Sequence, residues 1–229
     1  MNHIFIGFDP RQLISYNVLQ SSILTRTKER VSIAPISSLT FPCKRAGLTP
    51  FTWARFLAPW ACDFQGWSLF MDADILVRCD VKELFDLADN DCAAMVVKHP
   101  RMQFEDGSLI LFNNAHPDNA KLTPEFVETA PGLHGIGWTH RVGELPPAFN
   151  HLVEYDDYST DAKILHYTQG IPCWPETQNC QYAEDWQQEA QKAFSAQPWQ
   201  TILGPSVHAK AVYQRLAKER DVAHRQSAS

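Results

Sequence analysis

Short apolar runs recur along the chain, several of them bounded by Pro, Gly, Asp or Asn, and residues at helical spacing fill the stretches between. The pattern predicts strands over 3–7, 31–36, 67–71, 93–98, 108–112 and 163–167. Ile14, Val18, Leu19 and Ile23 mark a helix over 13–24, and Trp53, Phe56, Leu57 and Trp60 mark another over 50–61. A shorter helix is expected over 81–88, and Thr123-Pro124-Glu125 reads as an N-cap with proline at the first helical position. Strands alternating with helices give an α/β rhythm. Beyond about Trp174 the texture becomes rich in Gln and Ala, predicting a helix over 182–196. A tail follows in which Lys210, Arg215, Lys218, Arg220 and Arg225 face Glu219 and Asp221. The expected organisation is one α/β domain over 1–176 and a helical C-terminal extension over 177–229.

Composition narrows the class. The 229 residues are 45% apolar and 11% aromatic, enough to bury a sizeable core in one domain. The net charge of −6 argues against a surface that wraps nucleic acid or an anionic membrane. Charges interrupt every apolar stretch before the roughly 18 residues a membrane span needs, and Met1-Asn2-His3 runs directly into a strand-like segment, so a cytoplasmic protein is expected. The six cysteines form no C-x-x-C pair, which fits reduced thiols, although Cys173 and Cys180 are close enough in sequence to bridge.

Candidate chemistry sits in "WSLFMDADILV". With 15 aspartates in the chain, a D-x-D is expected about once by chance, so the pattern alone is weak. Asp89-Asn90-Asp91 is an internal control, because it follows a helical stretch and reads as a turn. Asp72 and Asp74 instead leave the end of an apolar strand and are followed by Ile75-Leu76-Val77. Open α/β sheets bind ligands beyond the carboxyl ends of their strands. Two carboxylates there repel and lose hydration unless a cation neutralises them, and hard oxygen ligands suit Mg²⁺ or Mn²⁺. The plainer reading is a capped turn.

These residues resemble the metal-dependent nucleotide-sugar glycosyltransferases of the GT-A fold, in particular the family 8-like retaining group. The likeness rests on "IFIGFDPRQLISYNVLQSSI", "FTWARFLAPW", "WSLFMDADILV" and "AKILHYTQGIPCW", supported by "MVVKHP" and "SLILFNNAHP", all in the family's order from Met1 to Trp174. The resemblance implies a Rossmann-type mixed sheet flanked by helices and a transferase moving a sugar from a nucleotide-diphosphate donor, such as a UDP-sugar, to an unidentified glycan, lipid, protein or nucleic acid acceptor, with retention. It implies a Mn²⁺ or Mg²⁺ ion held by Asp72, Asp74 and a neutral His166, acting as Lewis acid on the leaving diphosphate. Gly7, Phe8, Asp9 and Arg11 would form the nucleotide turn, with Asp72 and Ala73 beside the donor, and Arg55 would reach its phosphates or sugar. The bland alternatives are a core histidine for His166, an ion pair with a core carboxylate for Arg55, and a surface turn for "GFDPR".

The sequence also departs from the family. The lysine that usually precedes the final Pro-Trp is missing from Gly170-Ile171-Pro172-Cys173-Trp174, which shifts diphosphate neutralisation onto the metal with Arg55, or onto Lys44 and Arg45. An Asp-Gln pair beside the donor sugar has no equivalent in the stretch from Gly135 to His140, and Glu105 and Asp106 are the nearest acidic candidates for a catalytic role. Two other functions compete: a haloacid dehalogenase-type phosphohydrolase, disfavoured by Ile75 and the missing G-D-x-x-x-D, and a non-catalytic nucleotide-sugar-binding protein.

Overall fold

The computed structural model describes residues 1–194, and two sheets organise them. The larger contains β1 (Asn2–Gly7), β2 (Val31–Ile36), β3 (Trp67–Met71), β5 (Ala94–Val96), β6 (Leu109–Asn113) and β7 (Val142–Glu144), ordered β2-β1-β3-β6-β5-β7. β1 runs parallel to β2 and β3, while β6 is antiparallel to both β3 and β5. The smaller sheet is β4 (Ile75–Val77), β9 (Ile164–His166) and β8 (His151–Leu152), in that order. All six expected strands form, and the α/β class with its mixed sheet is borne out.

The strands read as near-continuous apolar runs because both faces of the large sheet are covered. Ile4, Ile6, Leu69, Met71, Leu109 and Leu111 point to one face, where Tyr16, Leu19 and Ile23 of α1 (Leu13–Leu24) pack on them. Phe5, Phe70, Ile110 and Phe112 point to the other, against Phe56, Leu57, Val127 and Trp138. The alternation is the period of two that a pleated strand imposes. Val18 on the far side of α1 joins Leu76, Leu165, Tyr167 and Trp186 in a third apolar cluster, which seats α5 (Ala183–Ala193). Arg26 at the end of α1 pairs with the buried Glu189 of α5 at 2.8 Å.

Three expectations need correction. The helix expected over 50–61 is a 3-10 turn (Ala54–Leu57) followed by the four-residue α2 (Ala58–Ala61). Pro59 has no N–H to give the Arg55 carbonyl, so the preceding turn tightens. The helix over 81–88 contracts to α3 (Lys82–Phe85), whereas Thr123 does cap α4 (Pro124–Thr129), accepting from the Phe126 amide. Strands β4, β7 and β8 were not expected, because two or three residues carry too little alternation to register. All six cysteines are free thiols. The compact unit runs Met1–Ala193 and includes α5. Residues 195–196 of the expected helix, and the basic tail, lie outside the described residues.

Candidate metal and donor site

The aspartate pair sits where the chain leaves one sheet for the other. β3 lies in the middle of the large sheet, and the Asp72 amide continues its ladder by donating to Ser108 O at 2.8 Å. Ala73, 1% exposed, is packed into the core. Asp74 then begins the smaller sheet, and its carbonyl accepts from the Tyr167 amide at 3.0 Å. Register in that sheet sets Ile75 opposite His166, bringing an imidazole remote in sequence beside the turn. The control behaves differently: Asp89 Oδ1 accepts from the Asp91 amide at 3.0 Å in an exposed turn.

The cluster is dense in charge. One oxygen each from Asp72 and Asp74 and one ring nitrogen of His166 lie within 4.8 Å of one another. His166 Nε2 is 3.3 Å from Asp74 Oδ1, and its Nδ1 faces Glu105 Oε2 at 3.7 Å. Arg55 Nη1 lies 3.0 Å from Asp72 Oδ1 and donates to Gly107 O at 2.7 Å, while Nε donates to Thr52 O at 3.1 Å. The Arg55 guanidinium, 4% exposed, stands over the Phe70 ring at 4.9 Å and the Phe51 ring at 5.5 Å. The ion pair offered as the alternative for this arginine forms, with the first aspartate of the pair as its carboxylate partner.

Three carboxylates against one guanidinium leave an excess of buried negative charge. Burial pushes the Asp72 carboxyl up to about 7, helped by Asp74 and Glu105 and opposed by Arg55. Glu105 is also raised, by burial first and then by Asp74. Burial disfavours protonation of His166, but Asp74, Asp72 and Glu105 outweigh it and raise its pKa. Beyond these charge contacts, Asp72 Oδ1, Asp74 Oδ1 and His166 Nδ1 are buried and make no well-aligned hydrogen bond. Adjacent ligands of an octahedral cation lie about 3 Å apart for metal–ligand bonds near 2.1 Å, close to the Asp74–His166 separation. The donor set, two carboxylate oxygens and an imidazole, is one that could hold a divalent cation.

The remaining expected residues separate into neighbours and supports. Gly7 ends β1 on the same carboxyl edge, since Ile6 pairs with Met71. A Cβ on Gly7 would come within 2.6 Å of the Phe51 ring, so the turn requires glycine. Phe8 stands edge-on to Tyr16 at 5.5 Å. Asp9 is buried and caps the turn Pro10–Gln12, and its oxygens accept from the Arg11 backbone and guanidinium, which holds its carboxyl below the usual range. Glu105 joins the cluster by facing His166, whereas Asp106 accepts from the His99 amide at 2.8 Å. Arg45 donates to the Val127 and Ala130 carbonyls and lies 3.5 Å over the Trp53 ring, so it braces a loop.

Two further groups escaped the sequence reading. Asn150, fully buried, contacts His99 Nε2 and donates to Ser108 Oγ and Glu105 O, tying Glu105 to the neighbouring loop. His134 stacks on Phe104 at 4.7 Å and stands edge-on to Trp53 at 4.5 Å; burial first, then Arg55 and Arg45, lower its pKa to about 4. Nothing local in the sequence marks either residue.

The six-stranded mixed sheet flanked by helices matches the GT-A glycosyltransferase fold. WbbM, described as a bifunctional glycosyltransferase, superposes with a TM-score of 0.64 at 17% identity over 93% of this chain and 51% of its own. GlyE of Streptococcus pneumoniae gives 0.61 at 18% over 88% of this chain and 61% of its own. This chain thus spans about half to three fifths of those two proteins. The galactosyltransferase LgtC, solved with donor and acceptor sugar analogues, gives 0.62 at 15% over 87% of this chain and 98% of its own. No family model matches the sequence. Protein CDI of Arabidopsis thaliana is 34% identical over 224 residues, covering 82% of this chain and 86% of CDI, and the chain belongs to the CDI family.

Proposed function

We propose that the protein transfers a sugar from a nucleotide diphosphate, such as a UDP-sugar, to an acceptor hydroxyl, with Mn²⁺ or Mg²⁺ held by Asp72, Asp74 and His166. One observation carries the reading: the turn between the two sheets gathers an excess of buried carboxylates and an imidazole, with atoms that make no well-aligned hydrogen bond, at the carboxyl edge of a GT-A sheet. A bound divalent cation would supply Lewis-acid stabilisation of the charge that develops on the leaving diphosphate. Arg55 keeps Asp72 oriented through its contacts to that carboxylate and to Gly107 O. Glu105, facing Nδ1, favours the tautomer that presents Nε2 toward Asp74. Gly7 to Arg11, on the same edge, would receive the nucleoside, and retention is carried over from the family resemblance. The solved complex of LgtC with donor and acceptor sugar analogues supports the substrate class by fold likeness.

Neither rival gains a supporting observation. The test is a panel of nucleotide sugars screened for Mn²⁺-dependent thermal stabilisation, with release of nucleoside diphosphate as the turnover readout. Stabilisation by at least one nucleotide sugar that requires the metal, followed by turnover, is expected. Stabilisation without turnover, with acceptors supplied, identifies a binding protein, and no metal-dependent stabilisation rejects the proposal.

A further inference from the structure

A cavity of about 370 Å³ adjoins the cluster and has no part in the reading so far. His99, Arg101, Met102, Leu152, Tyr155 and Asp156 are among the residues that line it. Its lining residues lie outside the cluster, but three of them connect to it through the fold. Leu152 of β8 is the register partner of His166 on β9, and residues paired across parallel strands project to the same side. Met102 precedes the 3-10 turn Gln103–Gly107, and its carbonyl accepts from the Glu105 amide at 2.8 Å. His99 is joined to Glu105 through the Asn150 amide.

We infer that this cavity is the acceptor subsite and takes a saccharide, an inference that rests on the transferase reading above. Its size suits one or two pyranose rings. Tyr155, 48% exposed, supplies an aromatic ring of the kind that stacks on the C–H side of a sugar, and Leu152 and Met102 are the apolar side chains beside it in the lining. Arg101 is exposed, and its planar fork can donate to a pair of vicinal hydroxyls. Asp156 uses Oδ2 to accept from the Leu152 amide at 2.8 Å, which fixes the carboxylate and leaves Oδ1 to accept from a hydroxyl. An apolar floor edged by fixed polar groups is what a sugar ring needs, whereas a lipid tail would find three charged or ionisable side chains around it. In the transfer the acceptor oxygen bonds to the anomeric carbon, the bond from that carbon to the diphosphate breaks with its electron pair leaving on the phosphate oxygen, and the acceptor hydroxyl's proton passes to that departing diphosphate.

The test uses the full chain with Mg²⁺ and a mixture of methyl hexosides and methyl N-acetylhexosaminides as probes, followed by saturation-transfer NMR. At least one glycoside should receive saturation from the wild type. Tyr155→Ala and Arg101→Ala should each weaken its binding by about tenfold or more, while Tyr158→Ala, another exposed tyrosine outside this cavity, should not. Thermal stabilisation by UDP with Mn²⁺ should persist in all three variants. If no glycoside binds the wild type, or if binding survives both substitutions in the cavity, the inference falls. Glycoside binding that depends on Tyr155, in a protein with no metal-dependent response to UDP, would keep the saccharide subsite and reject the transferase reading instead.

Discussion

Raising the pH of the metal-free protein from about 5 to about 8 should lower its melting temperature, and a divalent cation should restore what is lost. Asp72 moves from 3.8 to about 7 on folding. A carboxyl whose pKa is raised in the fold stabilises it fully only below the unfolded value, and that stability disappears as the pH rises through the folded value. Over this pH range the loss runs from pH 5 to the folded value, roughly two units at 1.36 kcal/mol each, which sets an upper bound of about 3 kcal/mol. The side chain keeps 13% exposure and shares its protons with Glu105 and His166, so about 2 kcal/mol is a reasonable expectation. Both neighbours are also raised and so act in the same direction. For a chain of this size that corresponds to about 4–8 °C. The assay is thermal unfolding in chelator and in excess Mg²⁺ across that pH range, for the wild type and Asp74→Asn. The gap between the chelator and Mg²⁺ curves should widen with pH in the wild type and vanish in the variant. A gap that is constant with pH, or a chelator curve with the same slope in both proteins, would refute the excess of buried negative charge.

Asp74→Asn should abolish sugar transfer and metal-dependent donor binding, while Asp91→Asn leaves both near wild type; identical behaviour in a nucleotide-sugar turnover assay would reduce the motif to a turn. His166→Ala should weaken Mn²⁺ affinity at least about tenfold in a titration, whereas a purely structural histidine would change the melting temperature and leave the affinity of the folded protein alone. Gly7→Ala should destabilise by about 1–3 kcal/mol in urea unfolding, because the new methyl group meets the Phe51 ring. Glu189→Ala should cost about 3 kcal/mol by the same measurement, since it strips the buried partner from Arg26 and loosens α5 from α1.

The acidic turn was legible because a buried strand that runs straight into two carboxylates has few structural explanations, and the exposed Asp89-Asn90-Asp91 shows the contrast. His166 was visible only through family likeness. Its approach to Asp74 depends on the pairing of β4 with β9, and a three-residue strand such as Ile75–Val77 carries no mark of its partner. Arg55 among aromatic residues announced a buried partner, yet not that the partner would be Asp72. Asn150 and His134 were illegible for a different reason: each acts through tertiary contacts of a loop whose sequence has no period. The helix over 50–61 failed because apolar spacing outweighed Pro59, a local rule that was available in the sequence.

The pairing of Ile75 with His166 spans about 90 positions of chain. Contacts of that separation close late, because the intervening loop must be ordered before they return any stability. During synthesis the aspartates therefore emerge long before their imidazole, and a nascent chain that ends short of β9 has two carboxylates but no completed set of ligands. With the proposed ligands, metal loading would report on whole-domain assembly, and the rate at which a refolding chain acquires Mn²⁺ affinity should follow closure of the small sheet rather than formation of the large one.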